Sequence, residues 1–216
     1  MYIPPANAVS DAGAIAAHLK AHPFAMLVSA GPGGLVATHL PTVYKGDGTG
    51  GTVECHFARA NAHWKELPAA GEVLLIYSGI DAYITPGWYP SKAETHKAVP
   101  TWNYTVVHAY GRAEVVEDRA WLHQHVTEIT SENERTTEVP WAVTDAPSSY
   151  IEVMLRGIVG VRITLTRLEA KQKLSQNRDV RDMTGVAHGL ERRGSGDDAR
   201  MAGVIAELAA AKARSG

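Results

Sequence analysis

Among 216 residues there is a single cysteine, Cys55. An internal disulfide and a cysteine-based zinc site are therefore excluded, which fits a reducing cytoplasm. Cys55 sits in the alternating run ThrValGluCysHisPhe, the pattern of a buried strand residue rather than a nucleophile. No apolar run approaches the roughly 18 residues needed to cross a bilayer. The start, MetTyrIleProPro, lacks the basic and apolar regions of a signal peptide, so the chain reads as cytoplasmic with no membrane partner. A formal net charge of -2, with Lys and Arg scattered, gives no overall pull toward nucleic acid or anionic lipid. Dinucleotide and P-loop fingerprints are missing, as are HisGluXXHis and GlyXSerXGly. Ten histidines invite a metal reading, but His123 and His125 are two apart on an expected helix and face apart, so no metal site is expected.

What is present is a soluble globular composition, 45% hydrophobic and 20% charged, in a chain long enough for a proper core. One stretch dominates it. Tyr83, Trp88, Tyr89, Trp102 and Tyr104 fall between residues 83 and 104, broken by Pro86, Pro90 and Pro100, which rule out a long helix. Flat rings with polar handles, interleaved with Lys92, Lys97 and Asn103, suit a planar ligand or an interface. The plainer alternative is a covering loop that buries its own aromatics.

Around that stretch, periodicity predicts a helix capped by Ser10, ended by His22 and Pro23. Strands follow at 24–30 and 35–41, joined by the GlyProGlyGly turn 31–34 as an antiparallel hairpin. Another strand is expected at 52–58, then a short helix over 61–67 with Asn61 as its cap. A central strand spans 72–79 and a new one begins at 81. Residues 106–116 alternate as a long strand. An amphipathic helix runs from Asp118 to about Glu134, with Trp121, Leu122, Val126 and Ile129 at helical spacing. Residues 135–147 connect to a short helix capped by Ser148, and 157–171 form a last strand. A Gly- and Arg-rich polar stretch follows 178, then an Ala-rich helix over 197–214. Five to seven hairpin-joined strands with helices at the edges predict an antiparallel barrel decorated by helices.

Three short constellations could carry chemistry. ThrHisLeuPro (38–41), at a strand end, could set backbone amides and His39 against a flat heteroaromatic edge; a plain surface histidine is the alternative. AlaArgAlaAsnAlaHisTrp (58–64) runs from a strand into a helix start, where Arg59 adds a forked donor, and a phosphate is the natural occupant. A capped surface helix with a solvated arginine would look the same. LysLeuSerGlnAsnArg (173–178) gathers donors after a strand, either over a polar ligand or in a solvated turn.

Taken with TyrIlePro near the start, TyrIleThrProGlyTrpTyr, ValProThrTrpAsnTyr and ValHisAlaTyrGly, these segments resemble the PaiB family, described as FMN-binding negative transcriptional regulators. The resemblance covers about residues 1–190 in order. It implies a split β-barrel of the FMN-binding, pyridoxamine-phosphate-oxidase-like type over residues 1–195, followed by a C-terminal helix at 196–216. It implies a homodimer with FMN at the subunit interface. By position, Thr38, His39, Leu40 and Pro41 would line the isoalloxazine, and Arg59, Ala60, Asn61 and His63 would hold the ribityl phosphate. Tyr83, Trp88, Tyr89, Trp102 and Asn103, from either chain, would cover the ring, with Lys173 and Gln176 nearby. The implied function is regulation of transcription, direct or indirect. DNA is a partner by the family's description alone, because no helix-turn-helix or basic recognition helix is evident. The alternative is an FMN-dependent oxidoreductase acting on a small substrate with a nicotinamide donor.

Overall fold

The computed structural model describes residues 1–31 and 33–215. Their strands are β1 (Ala8–Val9), β2 (Phe24–Gly31), β3 (Gly34–Lys45), β4 (Thr52–Ala58), β5 (Val73–Ile84), β6 (Thr101–Val116) and β7 (Ile158–Lys173). The helices are α1 (Ala12–Ala21), α2 (His63–Glu66), α3 (Pro90–Thr95), α4 (Arg119–Glu134), α5 (Ser148–Arg156), α6 (Val180–Arg193) and α7 (Asp198–Ser215). No helix among the described residues is long and apolar enough to cross a membrane.

The strands hydrogen-bond in the order β1-β7-β4-β3-β2-β5-β6, and β6 also pairs with β7. That last pairing closes six of them into a ring and removes the free edges of an open sheet. The fold is the mainly antiparallel barrel with flanking helices that the alternating sequence predicts. Register Gly31↔Gly34 joins β2 to β3 as the expected hairpin; Pro32, in its turn, lies outside the described residues. Period-two patterning sets the core: Ala25 and Leu27 of β2, Val53, Cys55 and Phe57 of β4, and Val159, Val161 and Ile163 of β7 are buried on alternate positions.

The chain divides into two compact units. One comprises Asp11–Tyr77 and Val107–Glu169 and holds segments of all six ring strands with α1, α2, α4 and α5. Here α4 starts at its Asp118 cap, whose carboxylate accepts from the backbone N–H of Trp121 at 2.7 Å. Leu122 of α4 packs with Val143, Ile151 and Leu155. The other unit comprises Met1–Ser10, Ser78–Val106 and Ala170–Gly216. Its core joins Ile80, Ala82 and Ile84 to Met183, Val186, Leu190, Met201 and Ile205 of α6 and α7.

Four expectations need correction. Asp11, not Ser10, caps α1, accepting from the N–H of Ala14 at 2.6 Å. Ser148 is the first residue of α5, with Pro147 at the cap position. Residues 73–84 form one strand rather than two. Its buried positions switch from Val73, Leu75 and Tyr77 to Ile80, Ala82 and Ile84, so the inward face changes parity at Ser78–Gly79 and mimics a break. Finally, the polar stretch after 178 contains the 14-residue helix α6, capped by Asp179 and closed by Gly194 in the left-handed region (φ 58°). Gly185 and Gly189 disguise it. A Cβ at Gly189 would lie 2.2 Å from the Trp88 ring and one at Gly185 2.2 Å from the Trp88 backbone carbonyl, so Gly189 seats the indole and Gly185 admits the backbone beside it.

Candidate functional site

The barrel unit gathers one group of the expected residues. Strand β3 pairs with β2 along Gly34–Pro41 but with β4 only over Thr42–Lys45. Beyond Thr42 and Cys55 the two strands part, and β4 continues against β7 alone. The backbone edge of residues 38–41 that faces away from β2 thus has no strand partner among the described residues, and the segment after β4 turns in beside it.

That turn is made by the N–H of Asn61 donating to the carbonyl of Ala58 at 2.9 Å. The Asn61 Oδ1 accepts from the N–H of His63 at 3.0 Å, so the asparagine starts α2 from one position before its cap, Ala62. The helix has four residues, fewer than the 61–67 span expected. It carries the His63 ring into the interior, edge-on to Phe57 at 5.6 Å between centroids. There Nδ1 lies 2.7 Å from Thr38 Oγ1 and Nε2 lies 2.8 Å from Ser29 Oγ. Asn61 Nδ2 also donates to Thr38 Oγ1, at 3.4 Å. Burial lowers the pKa of His63, with the Glu66 carboxylate opposing, and this favours a neutral ring. Thr38 is partly exposed, the most accessible end of a buried chain that runs from Ser29 through His63.

His39 points to the opposite face and is exposed, with the ring of Phe24 stacked on it at 6.1 Å and 25°. Phe24 is itself 64% exposed, an unusual position for a large ring. Leu40 is buried in the core and Pro41 is half-buried opposite Phe24. Ala60 is exposed. Arg59 is engaged elsewhere: its guanidinium donates to the carbonyls of Arg156 and Ile158 and pairs with Glu117 at 2.6 Å.

In the second unit, Tyr83 and Trp102 form an exposed edge-to-face pair at 5.9 Å. Lys173 donates to Thr101 Oγ1 and to the carbonyl of Trp102, and burial lowers its pKa. The other expected residues have structural roles there. Trp88 fills the α6 groove beneath Arg193, and Tyr89 is buried with Arg178 over its ring at 4.6 Å. Asn103 is fully buried and donates to Ser175 Oγ at 3.0 Å. Gln176 accepts from the N–H of Leu174 and donates to the carbonyl of Gln172.

Sequence reasoning missed Ser29, Phe24 and Lys171. The signal for Ser29 was a hydroxyl at an inward position of an apolar strand. Lys171 is buried, donating to the carbonyl of Tyr2 at 3.2 Å with its ammonium 5.1 Å from the Tyr104 ring. No cluster of three or more His, Cys, Asp or Glu among the described residues could hold a metal ion.

The barrel-unit group fits a flavin. An unpartnered strand edge, an accessible hydroxyl and an exposed ring pair supply hydrogen-bonding and stacking groups for a flat heteroaromatic ligand. Comparison with known proteins points to the same class of cofactor. The model of a putative FMN-binding domain matches residues 1–167. The chain is 32% identical over 191 residues to the protease synthase and sporulation protein PAI 2 of Bacillus subtilis, covering 88% of this chain and 89% of that one. Among solved structures, a flavocytochrome from Azotobacter vinelandii superposes with a TM-score of 0.54 at 17% identity, over 76% of this chain and 68% of the other. A conserved hypothetical protein from Mycobacterium tuberculosis gives 0.56 at 18% identity, over 80% and 91%.

Proposed function

The chain belongs to the PaiB-like family of putative FMN-binding domains, and from that premise we propose that it is a flavin-carrying regulator of transcription acting as a homodimer. FMN is its cofactor. The observation that carries the site is the unpartnered edge of β3 at residues 38–41, with the Thr38–Asn61–His63 cluster on one face and His39 with Phe24 on the other. In this reading Thr38 and the backbone of residues 38–41 bind polar atoms of the flavin, and the exposed His39–Phe24 pair offers a ring to one of its faces. Asn61 and His63 orient the threonine hydroxyl rather than touching the ligand through free groups. When bound, FMN supplies a redox-active ring whose state can alter an interface.

The effect on transcription is indirect in this reading. A net charge of -2 lacks the basic footprint of a DNA-binding surface. The test combines light scattering, a mobility shift with promoter DNA and NADH or NADPH oxidation, all with FMN bound. A dimer that neither shifts DNA nor turns over nicotinamide supports the proposal. Turnover at a sustained rate assigns the oxidoreductase alternative instead. A monomer under all conditions contradicts the dimer.

A further inference from the structure

Ser29 is the least expected member of the site, and its burial decides the direction of the hydrogen bonds around it. It is 2% exposed, and among the described residues its hydroxyl has one partner, His63 Nε2. A hydroxyl has one proton to donate, and a buried donor left unmet is costly. If His63 Nε2 carried the hydrogen, the Ser29 proton would have no acceptor. With the Ser29 hydroxyl donating, Nε2 is the bare nitrogen and Nδ1 bears the hydrogen. Nδ1–H then donates to Thr38 Oγ1, which also receives Asn61 Nδ2. Both acceptor positions of Thr38 are filled, and its own hydrogen has no partner among the described residues.

We infer that Ser29 and His63 form a directional relay that holds the Thr38 hydroxyl as a hydrogen-bond donor to a ligand acceptor. Ser29 and His63 are positioning residues that touch no ligand. The site thereby selects a ligand edge bearing a lone pair, a carbonyl oxygen or an unprotonated ring nitrogen, and disfavours one bearing an N–H. The inference rests on the FMN reading for the identity of that ligand, but the relay exists in the protein without it. Burial of His63 supports it by disfavouring the imidazolium, in which both nitrogens would donate.

The experiment is two-part, so that failure of the relay and failure of the FMN reading are distinguishable. First, long-range ¹H–¹⁵N NMR on the full chain without flavin reports which His63 nitrogen is protonated. The relay predicts the Nδ1–H tautomer, and a mixture of tautomers in Ser29→Ala. An Nε2–H tautomer in the unaltered protein overturns it. Second, FMN titration of Ser29→Ala predicts affinity weaker by about threefold to tenfold, the range for one hydrogen bond, although Ser29 is too buried to meet FMN. Ser29→Thr keeps the hydroxyl and is predicted to restore both the tautomer and the affinity. Should Ser29→Ala fold poorly, Thr38→Val removes the outlet and must weaken FMN at least as much. Unchanged affinity in Thr38→Val overturns the donor role. A protein that shows the Nδ1–H tautomer but takes up no FMN supports the relay and contradicts the flavin reading.

Discussion

The sharpest physical consequence of the fold is a loss of stability between neutral pH and pH 4, caused by the buried His125 and its half-buried neighbour His56. His56 Nδ1 of β4 and His125 Nε2 of α4 lie 3.1 Å apart. The Trp121 ring stacks flat on His125 at 5.1 Å, and His125 Nδ1 is buried with no hydrogen-bond partner among the described residues. Burial, then the neighbouring His56, takes the His125 pKa from 6.5 to about 4; Glu54 opposes the shift and Lys45 adds to it. Burial lowers His56 as well. The sign follows directly. In the unfolded chain His125 takes up a proton near pH 6.5, whereas in the folded protein it stays neutral until about pH 4. Stability is fully present above pH 6.5 and is lost as pH falls through that window. One proton corresponds to about 1.4 kcal/mol per pH unit, so His125 alone accounts for a loss on the order of 3 kcal/mol across the window. That is a large share of the roughly 5–15 kcal/mol typical of a domain. Urea unfolding at pH 7, 6 and 5, followed by tryptophan fluorescence, measures it. His125→Phe retains a ring against Trp121 and removes the titration, so its midpoint must fall less with acid than that of the unaltered protein. Equal pH slopes in the two proteins would refute the reasoning.

Three further outcomes follow from named contacts. Gly189→Ala forces a methyl group into the Trp88 ring and lowers stability by about 1–3 kcal/mol by chemical denaturation, with Trp88→Leu partly relieving the loss. Asp198, whose carboxyl is held below its usual range by Arg193 and the Ser195 N–H, anchors the start of α7. Arg193→Ala therefore lowers the melting temperature at pH 7, and this difference from the unaltered protein shrinks as acid protonates Asp198 below about pH 4. Glu117→Gln removes the charge paired with Arg59 but leaves its bonds to the carbonyls of Arg156 and Ile158, so FMN affinity stays unchanged in Glu117→Gln; a fluorescence titration in which Arg59→Ala is also unchanged excludes Arg59 from the site.

How much of this was readable in the sequence depends on the kind of physics involved. Strands β2, β3 and β4 were legible because their apolar residues alternate between tight turns, and β4 matches its expected span of 52–58. The single strand β5 was not, because its buried face changes sides at Ser78–Gly79 and local periodicity cannot carry across that shift. Helix α6 was hidden by Gly185 and Gly189, which read as breakers but serve a tertiary contact with a tryptophan almost a hundred positions earlier. At the site, Thr38, Asn61 and His63 could be named from their motifs, and the structure brings them within hydrogen-bonding distance. Ser29 could not, since nothing in a strand of small and apolar residues indicates which distant ring its hydroxyl will meet. The aromatic stretch held both outcomes at once: Tyr83 and Trp102 stay at the surface, while Tyr89 is core and the half-buried Trp88 packs against it.

Visible absorption of the purified protein after addition of FMN and desalting tests most directly whether the edge of β3 beside Thr38 holds FMN. Flavin absorbance must survive desalting in the unaltered protein, and Thr38→Val or Asn61→Ala must diminish it without loss of the folded-state fluorescence. A folded protein that leaves the column colourless, or variants that retain flavin as well as the parent, would contradict the account.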